Sequence, residues 1–534
     1  MDYYRIFRTV RWLRGTQVVH QVLNRVRKAR LVPIEAPKHS VPRLVAEPIE
    51  RYWSLRCEPV AVKSDAQHLC GGSPSSVSLV GEELKFLNLR HDFSDWNYSM
   101  LGPLFTYNIN YFDYINQPEM PCEVACRWID RYIADIHTVT WGLDPYPISL
   151  RGINWIKLFC RQPECATKER EDSLYSQYKL LERKLEYHLL GNHLLEDAFS
   201  LYIGAAYFAD EAMMKSARRL LLRELREQTL PDGAHYEQSP MYHCILLDRL
   251  LDCLNFAKSC GLVEDIDTLS KYAVMMLGHL ESIVYRNGDI PLLNDSARGI
   301  APTPNLIFDY AQRLGLTWQK LPLRECGYRK LLSGEMEAVV DIGEIAASYQ
   351  PGHTHADALS YELRISGKPF VVDTGISTYD KTPRRQYERS TAAHNTVTID
   401  GKDSAEVWGG FRVGYRYKMS LLKDAPDKVE AELRGFGCGL KHRRCFAIDD
   451  TGLAVTDSIS AGHQGISYIH LAPGVQILGA DNGSITTNMA KIEIDGASSV
   501  EVIDEKASTE YNRFEDIKAI RINFADNMSY RIIP

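Results

Sequence analysis

The hydrophobic pattern of this 534-residue chain changes period once, and that change limits the fold more than any other feature. From about Leu101 to Leu314 apolar residues recur at three- and four-residue steps, as in Leu174 to Leu190, Glu196 to Phe208, Glu211 to Gln228 and Met241 to Ser259. Such spacing gives each of a series of helices one apolar stripe. Breaks at Gly191-Asn192, Pro231-Asp232-Gly233 and Arg286-Asn287-Gly288-Asp289 predict antiparallel helical hairpins, and so a bundle, solenoid or toroid. Beyond about Gly334 apolar and polar residues alternate, in Glu337 to Asp341, Leu359 to Ile365, Phe370 to Val372, Asn395 to Ile399, Gly452 to Thr456 and Ala490 to Ile494. Short strands between tight turns predict an antiparallel sandwich. Helices followed by strands define a segregated, multidomain α+β chain. The expected domains are 1–95, a basic helical arm and an extended, proline-containing wrap; 96–330, helical; and 331–534, the sandwich.

Composition narrows the function. Hydrophobic residues at 45% and charged residues at 25% belong to an ordinary globular protein, and a net charge of -7 excludes a general nucleic-acid binder, which is basic overall. Met1 to Arg30 carries Arg8, Arg11, Arg14, Arg25, Arg27, Lys28 and Arg30 among short apolar pieces, with no run long enough for a signal peptide or a membrane span. It reads as an amphipathic arm, packed on the body or attached peripherally to anionic lipid. Twelve cysteines without a CxxC pair suggest free thiols and a reducing, cytoplasmic location.

Three clusters look chemical. In His353-Thr354-His355-Ala356-Asp357 the two histidines, one residue apart, point the same way on a strand, and Asp373 and His394 follow at later strand ends. Such a set offers imidazoles and a carboxylate to one zinc ion, although histidines at strand ends are also satisfied by hydrogen bonds alone. Gly191-Asn192-His193 with Glu196, and Tyr236-Glu237 through Tyr242-His243, sit where loops turn into helices. Each has a plain structural role open to it, Asn192 as a helix cap and Tyr242 as a core residue with a wet hydroxyl. Arg384, Arg385, Arg389, Arg412 and Arg416, interleaved with Trp408, Phe411 and Tyr415, form a strip suited to carboxylates, sulfates and sugar faces, or else a solvated loop face.

Taken in order, Asn192-His193, Tyr242-His243, His353 to Asp357, Asp373 and His394 to Val397 resemble the heparinase II/III-like polysaccharide lyases, with Arg151-Gly152-Ile153-Asn154-Trp155 as supporting text. The resemblance implies an incomplete (α/α) toroid followed by an antiparallel β-sandwich, and cleavage of a uronate-containing acidic polysaccharide by β-elimination. It implies roles for Asn192 at the substrate carboxylate, Tyr242 in proton transfer, His353 as the second catalytic group, and His355, Asp373 and His394 as zinc ligands. His193, Glu196, Glu237, His243, Arg384, Arg385, Arg389, Trp408 and Arg412 are the expected substrate-binding residues. A neutral amide at Asn192 suits a carboxylate on which charge builds as C5 is deprotonated. The competing readings are a glycoside hydrolase, with Glu196 and Glu237 as its acid pair, and a non-catalytic glycan-binding factor in polysaccharide biosynthesis, near the export machinery.

Overall fold

The computed structural model describes residues 3–26, 29–49, 83–117 and 120–534. The arm forms two helices, α1 (Tyr3–Val10) and α2 (Gly15–Val26), and it packs on the body. Arg5 and Arg8 pair with Glu406 at 2.9 Å, and Gln17, buried, donates to the carbonyls of Leu189 and Tyr349. Its apolar side chains Tyr3, Tyr4, Phe7 and Val10 face outward. The wrap begins as expected, extended along the helices, where Ile34 and Ala36 donate their N–H groups to Ser176 and Asp172. It ends differently, in a hairpin of β1 (Glu83–Phe86) and β2 (Leu89–Asp92). Arg27 and Lys28 of the arm and residues 50–82 of the wrap lie outside the described residues.

The helical domain holds α3 (Pro103–Tyr111), α4 (Cys122–Asp135), α5 (Pro145–Arg161), α6 (Lys168–Lys184), α7 (Gly191–Tyr207), α8 (Glu211–Gln228), α9 (Pro240–Ser259), α10 (Val263–Ile283) and α11 (Pro304–Arg313). Local chemistry sets several starts. Asp210 and Ser239 accept the N–H groups of Met213 and Tyr242 as caps of α8 and α9, and proline opens α5, α9 and α11, where its missing N–H costs nothing. The fully buried Tyr178 of α6 fills the space left by Gly152 on α5 and Gly204 on α7, where a Cβ would meet its ring or hydroxyl at 2.5 and 2.6 Å. Those two glycines let the helices close on each other.

The sandwich begins with β3 (Tyr328–Ser333), β4 (Met336–Asp341), β5 (Tyr361–Ile365) and β6 (Lys368–Val371), paired in that order. An eight-stranded sheet runs from Lys418–Ala425 to Ile477–Ala480, and a second four-stranded sheet from Ser499–Glu510 to Val397–Ile399. The ladders are antiparallel, and Lys428–Gly435 shows the one-side-buried alternation of a strand with one wet face. One buried core belongs to the helices and wrap, and a separate one to the sandwich. Cys122 and Cys165 form a disulfide, which their spacing did not announce; the other described cysteines are free.

Candidate active site

The cleft forms where the start of α7 meets two loops, one before α11 and one between β4 and β5. Leu190 and Gly191 both take positive φ, 62° and 61°, turning the chain sharply into α7. A side chain at Gly191 would be strained by that φ and would displace Glu237, whose Oε1 would stand 2.3 Å from the added Cβ. That closeness lets Glu237 accept both the backbone N–H of Asn192 at 2.9 Å and its side-chain Nδ2 at 2.8 Å. The amide is thereby oriented, with Nδ2 also 3.2 Å from Nε2 of His353. The Tyr242 ring lies against His353, centroids 3.9 Å apart, and its hydroxyl meets that of Tyr379 at 3.2 Å. Asn192, Tyr242 and His353 thus converge.

Asp295, which the sequence reading did not single out, anchors this group. Fully buried, it accepts from Nδ1 of His353 at 2.9 Å and Nε2 of His355 at 2.8 Å, and both ends of the Arg385 guanidinium reach it, at 2.6 and 2.8 Å. Burial alone would raise its pKa, but the Arg385 charge and the two histidine hydrogen bonds hold it well below the usual carboxylate range. An ionised Asp295 fixes the proton of His353 on Nδ1 and leaves Nε2 as a lone pair beside Asn192. The signal was present in Asn294-Asp295-Ser296, a polar triplet directly after Pro291-Leu292-Leu293.

His355 and His394 lie deeper, both fully buried, with ring centroids 5.2 Å apart. Two imidazoles on one tetrahedral zinc stand at roughly 5 Å by the usual bond lengths. Nδ1 of His355 and Nε2 of His394 have no hydrogen-bond partner, nor has Oδ2 of the buried Asp357. Orphaned buried nitrogens of this kind fit a metal's donor set. Asp373 instead bonds Nδ1 of His394 at 2.7 Å; among the described residues, His355, Asp373 and His394 are not among the groups whose donor atoms all lie within 4.8 Å of one another. Asp373 therefore stands as the group that orients His394. Burial opposes charge on His394, yet Asp373 outweighs it and lifts the ring to about 9; burial pushes His355 down to about 3.

The cleft has a volume of about 1600 Å³ and is lined by Asn192, His193, Tyr242 and His353 together with Tyr146, Tyr379, Phe411 and Tyr511. His193 belongs to it as expected, held by Glu186 at 3.0 Å. Most of the other expected substrate contacts do not reach it. Glu196 is buried against Arg249 at 2.6 Å, Glu237 is spent on Asn192, and His243 turns into the helical core, bonding the N–H of His235 and the carbonyl of Met276. Arg385 is consumed by Asp295, Arg389 donates to the carbonyl of Thr354 at 2.8 Å, and Arg384 bonds Glu388 at 2.8 Å within the short helix α12 (Pro383–Glu388). Trp408 donates to Thr9 of the arm and Arg412 stacks on Trp408 at 4.8 Å. Buried guanidinium groups demand local acceptors, so Arg385 and Arg389 serve the scaffold, while Phe411 of the same strip lines the cleft.

A helical toroid-like domain and an antiparallel sandwich, with the polar cluster at their junction, define a two-domain toroid–sandwich architecture. The chain belongs to the heparinase II/III family: Heparinase II/III N-terminus matches residues 169–307 and Heparinase II/III-like, C-terminal matches residues 317–532. It is similar to a heparin-sulfate lyase of Bacteroides stercoris, 22% identical over 325 residues (53% of this chain, 46% of the relative), and to one of Pedobacter heparinus, 27% identical over 244 residues (40% and 36%). The chain thus spans less than half the length of these relatives. Among solved structures, heparinase III shares its fold at a TM-score of 0.65 and 17% identity, covering 83% of this chain and 79% of the other. A heparan sulfate lyase mutant of Pedobacter heparinus does so at 0.60 and 16%, covering 97% and 87%.

Replacing Asp295 by Asn tests the anchor. It leaves Arg385 buried without its counter-charge, and we expect a stability loss of about 3–5 kcal/mol at neutral pH. Because the folded-state pKa of Asp295 is depressed, its contribution is full above the unfolded value of about 3.9 and fades as pH falls below it. Denaturant titrations of the wild type and Asp295→Asn should therefore draw together in acid. A gap independent of pH between neutral and strongly acidic solution would contradict an ionised Asp295.

Proposed function

We propose that this chain is a polysaccharide lyase that cleaves a uronate-containing acidic polymer by β-elimination. The observation that carries the reading is the convergence of Asn192, His353 and Tyr242 on one face of the cleft, each oriented by a different buried partner. The kinship with heparin-sulfate lyases supports it. Against a hydrolase stand Glu196 and Glu237, the expected acid pair, since both are engaged in buried contacts. A mere binding factor would have no need of a histidine whose tautomer is fixed toward the cleft.

The chemistry follows from these contacts. A uronate carboxylate placed at Nδ2 of Asn192 takes the N–H that otherwise points toward His353, and the amide bonds strengthen as charge moves from C5 onto the carboxylate. Displaced from Asn192, Nε2 of His353 is a free lone pair beside C5 and can accept its proton. Tyr242, stacked on His353, sits to deliver a proton to the leaving oxygen at C4, or to take the C5 proton itself where the epimer presents it from that side. Half-buried Tyr379 and buried Tyr511 lie beside Tyr242 and Arg385, and desolvation raises their pKa values well above the ordinary one. They stay neutral and act as hydrogen-bonding walls.

Zinc forms part of the proposal. His355 and His394 would hold it, with Asp373 behind His394, and it would supply a fixed positive charge that orders the loop carrying His353. The proposed cytoplasmic location draws support from the eight described free thiols, set against one bonded pair. The outward apolar face of α1, with no helix among the described residues long and apolar enough to cross a membrane, favours peripheral attachment of the arm to anionic lipid.

Two outcomes check this reading. Screened against uronate polymers, the protein should generate ultraviolet-absorbing unsaturated ends, and Tyr242→Phe should fold normally yet lose at least about a hundredfold in turnover, the scale of a lost general acid or base. A folded Tyr242→Phe with near-normal turnover removes Tyr242 from the mechanism. Elemental analysis should find about one zinc per chain, bound with release of a proton near neutral pH because the metal displaces the proton held by His394. His355→Ala should lose the metal; retention of zinc by that variant, or no zinc in the wild type after loading, would remove the ion from the account.

A further inference from the structure

The cleft's charges bear on which uronate polymer enters it, and the argument rests on the lyase reading above. Among the described residues lining it, the cations are Arg183, Lys184 and Lys381, and the anions are Asp144, Glu182, Glu186 and Asp380. Two of the cations are already occupied. Lys184 donates to the carbonyl of Leu143 at 2.7 Å and stands 3.8 Å from Asp144, and Arg183 donates to the carbonyls of Lys179 and Arg30. His193 is drawn toward its charged form: burial resists, but the charge and hydrogen bond of Glu186 prevail, so that pair is close to neutral. His188 is lowered by burial and adds no charge. Arg183 and Lys381 are exposed without an ion pair to a described residue, and Arg183 is held by its two carbonyls, which leaves Lys381 as the least constrained of the three. The arginines that might have met sulfates, Arg385 and Arg389, are buried on Asp295 and Thr354.

We infer that the substrate is an unsulfated uronate polysaccharide, recognised through its hydroxyls, its sugar faces and a single neutralised carboxylate at a time. A sulfate ester is ionised at every working pH and calls for arginine forks or clustered lysines when it is desolvated. Here it would instead meet a wall with no net positive charge among its described residues. What the wall does offer is aromatic: Tyr107, Tyr111, Tyr146, Tyr187, Tyr379 and Tyr511 line the cleft, giving flat faces for sugar rings and hydroxyls for theirs. The carboxylate at the reacting sugar is met by the neutral amide of Asn192 rather than by a cation. That arrangement binds the ground state weakly and favours the charge shift of the intermediate.

The test uses the full chain and one uronate–hexosamine backbone in two forms, unsulfated and chemically O-sulfated, with kcat/KM read from ultraviolet absorbance. The unsulfated form should be cleaved faster by at least about tenfold, the scale of one like-charge contact near a protein surface. The charge reversal Asp380→Lys should narrow that ratio, since it places a cation where the wall was acidic. Equal or faster cleavage of the sulfated form overturns this inference and leaves the lyase reading intact. No unsaturated product from either form, or from a wider set of uronate polymers, overturns the lyase reading and this inference with it.

Discussion

The carboxylate of Asp295 is the joint on which this site depends. It comes from the helical side, in the segment between α10 and α11, and every partner it holds comes from the sandwich: His353, His355 and Arg385. A buried carboxylate is costly unless it is both charge-paired and hydrogen-bonded, and here a guanidinium and two imidazoles satisfy it. Removing Arg385 leaves the carboxylate buried without its counter-charge, and removing either imidazole leaves it short of a hydrogen bond. The same contact that fastens the domains also fixes the tautomer of His353 and the ring of His355. One buried interaction therefore both contributes to docking, beside contacts such as Tyr285 with Glu362 and Asn294 with Tyr328, and sets the geometry of the proposed site.

A second constraint works from the helical side alone. Gly191 must lack a side chain so that Glu237 can approach, and Glu237 must approach so that the amide of Asn192 is held from two sides. The outcome is an oriented neutral donor facing the cleft, preorganised as the proposed elimination requires of a group that meets a carboxylate gaining charge. Tyr242 is placed by the cap of α9, where Ser239 accepts its N–H. Helix starts thus set two of the three groups proposed to react.

Much of this was legible in the chain. The switch of hydrophobic period separates the helices from the strands, and α8 and α9 fall almost where their stripes placed them, since long periodic segments carry their own signal. Asn192, Tyr242 and His353, singled out because they stand in ordered motifs, come together in the structure. The arginine strip misled for a physical reason: exposure is not written in a residue's identity, and Arg385 and Arg389 are buried by acceptors from distant segments, Asp295 and Thr354. Glu237 and His243 sat in the right motif but face Asn192 and the helical core instead of the cleft. Asp295 was missed because a lone aspartate in a loop looks like a turn residue until its partners, far along the chain, are brought to it. The β1–β2 hairpin was hidden for a similar reason, its strands being too short for alternation to show.

Central to this account is that the chemistry is elimination, carried out by Asn192, His353 and Tyr242 without addition of water. Mass spectrometry of the oligosaccharides released from a uronate polymer reads this directly. Elimination predicts new non-reducing ends whose uronate is one water lighter than a saturated residue, together with products whose masses sum to that of the starting chain. Saturated ends, with one water gained for every bond cut, would show hydrolysis and contradict the account.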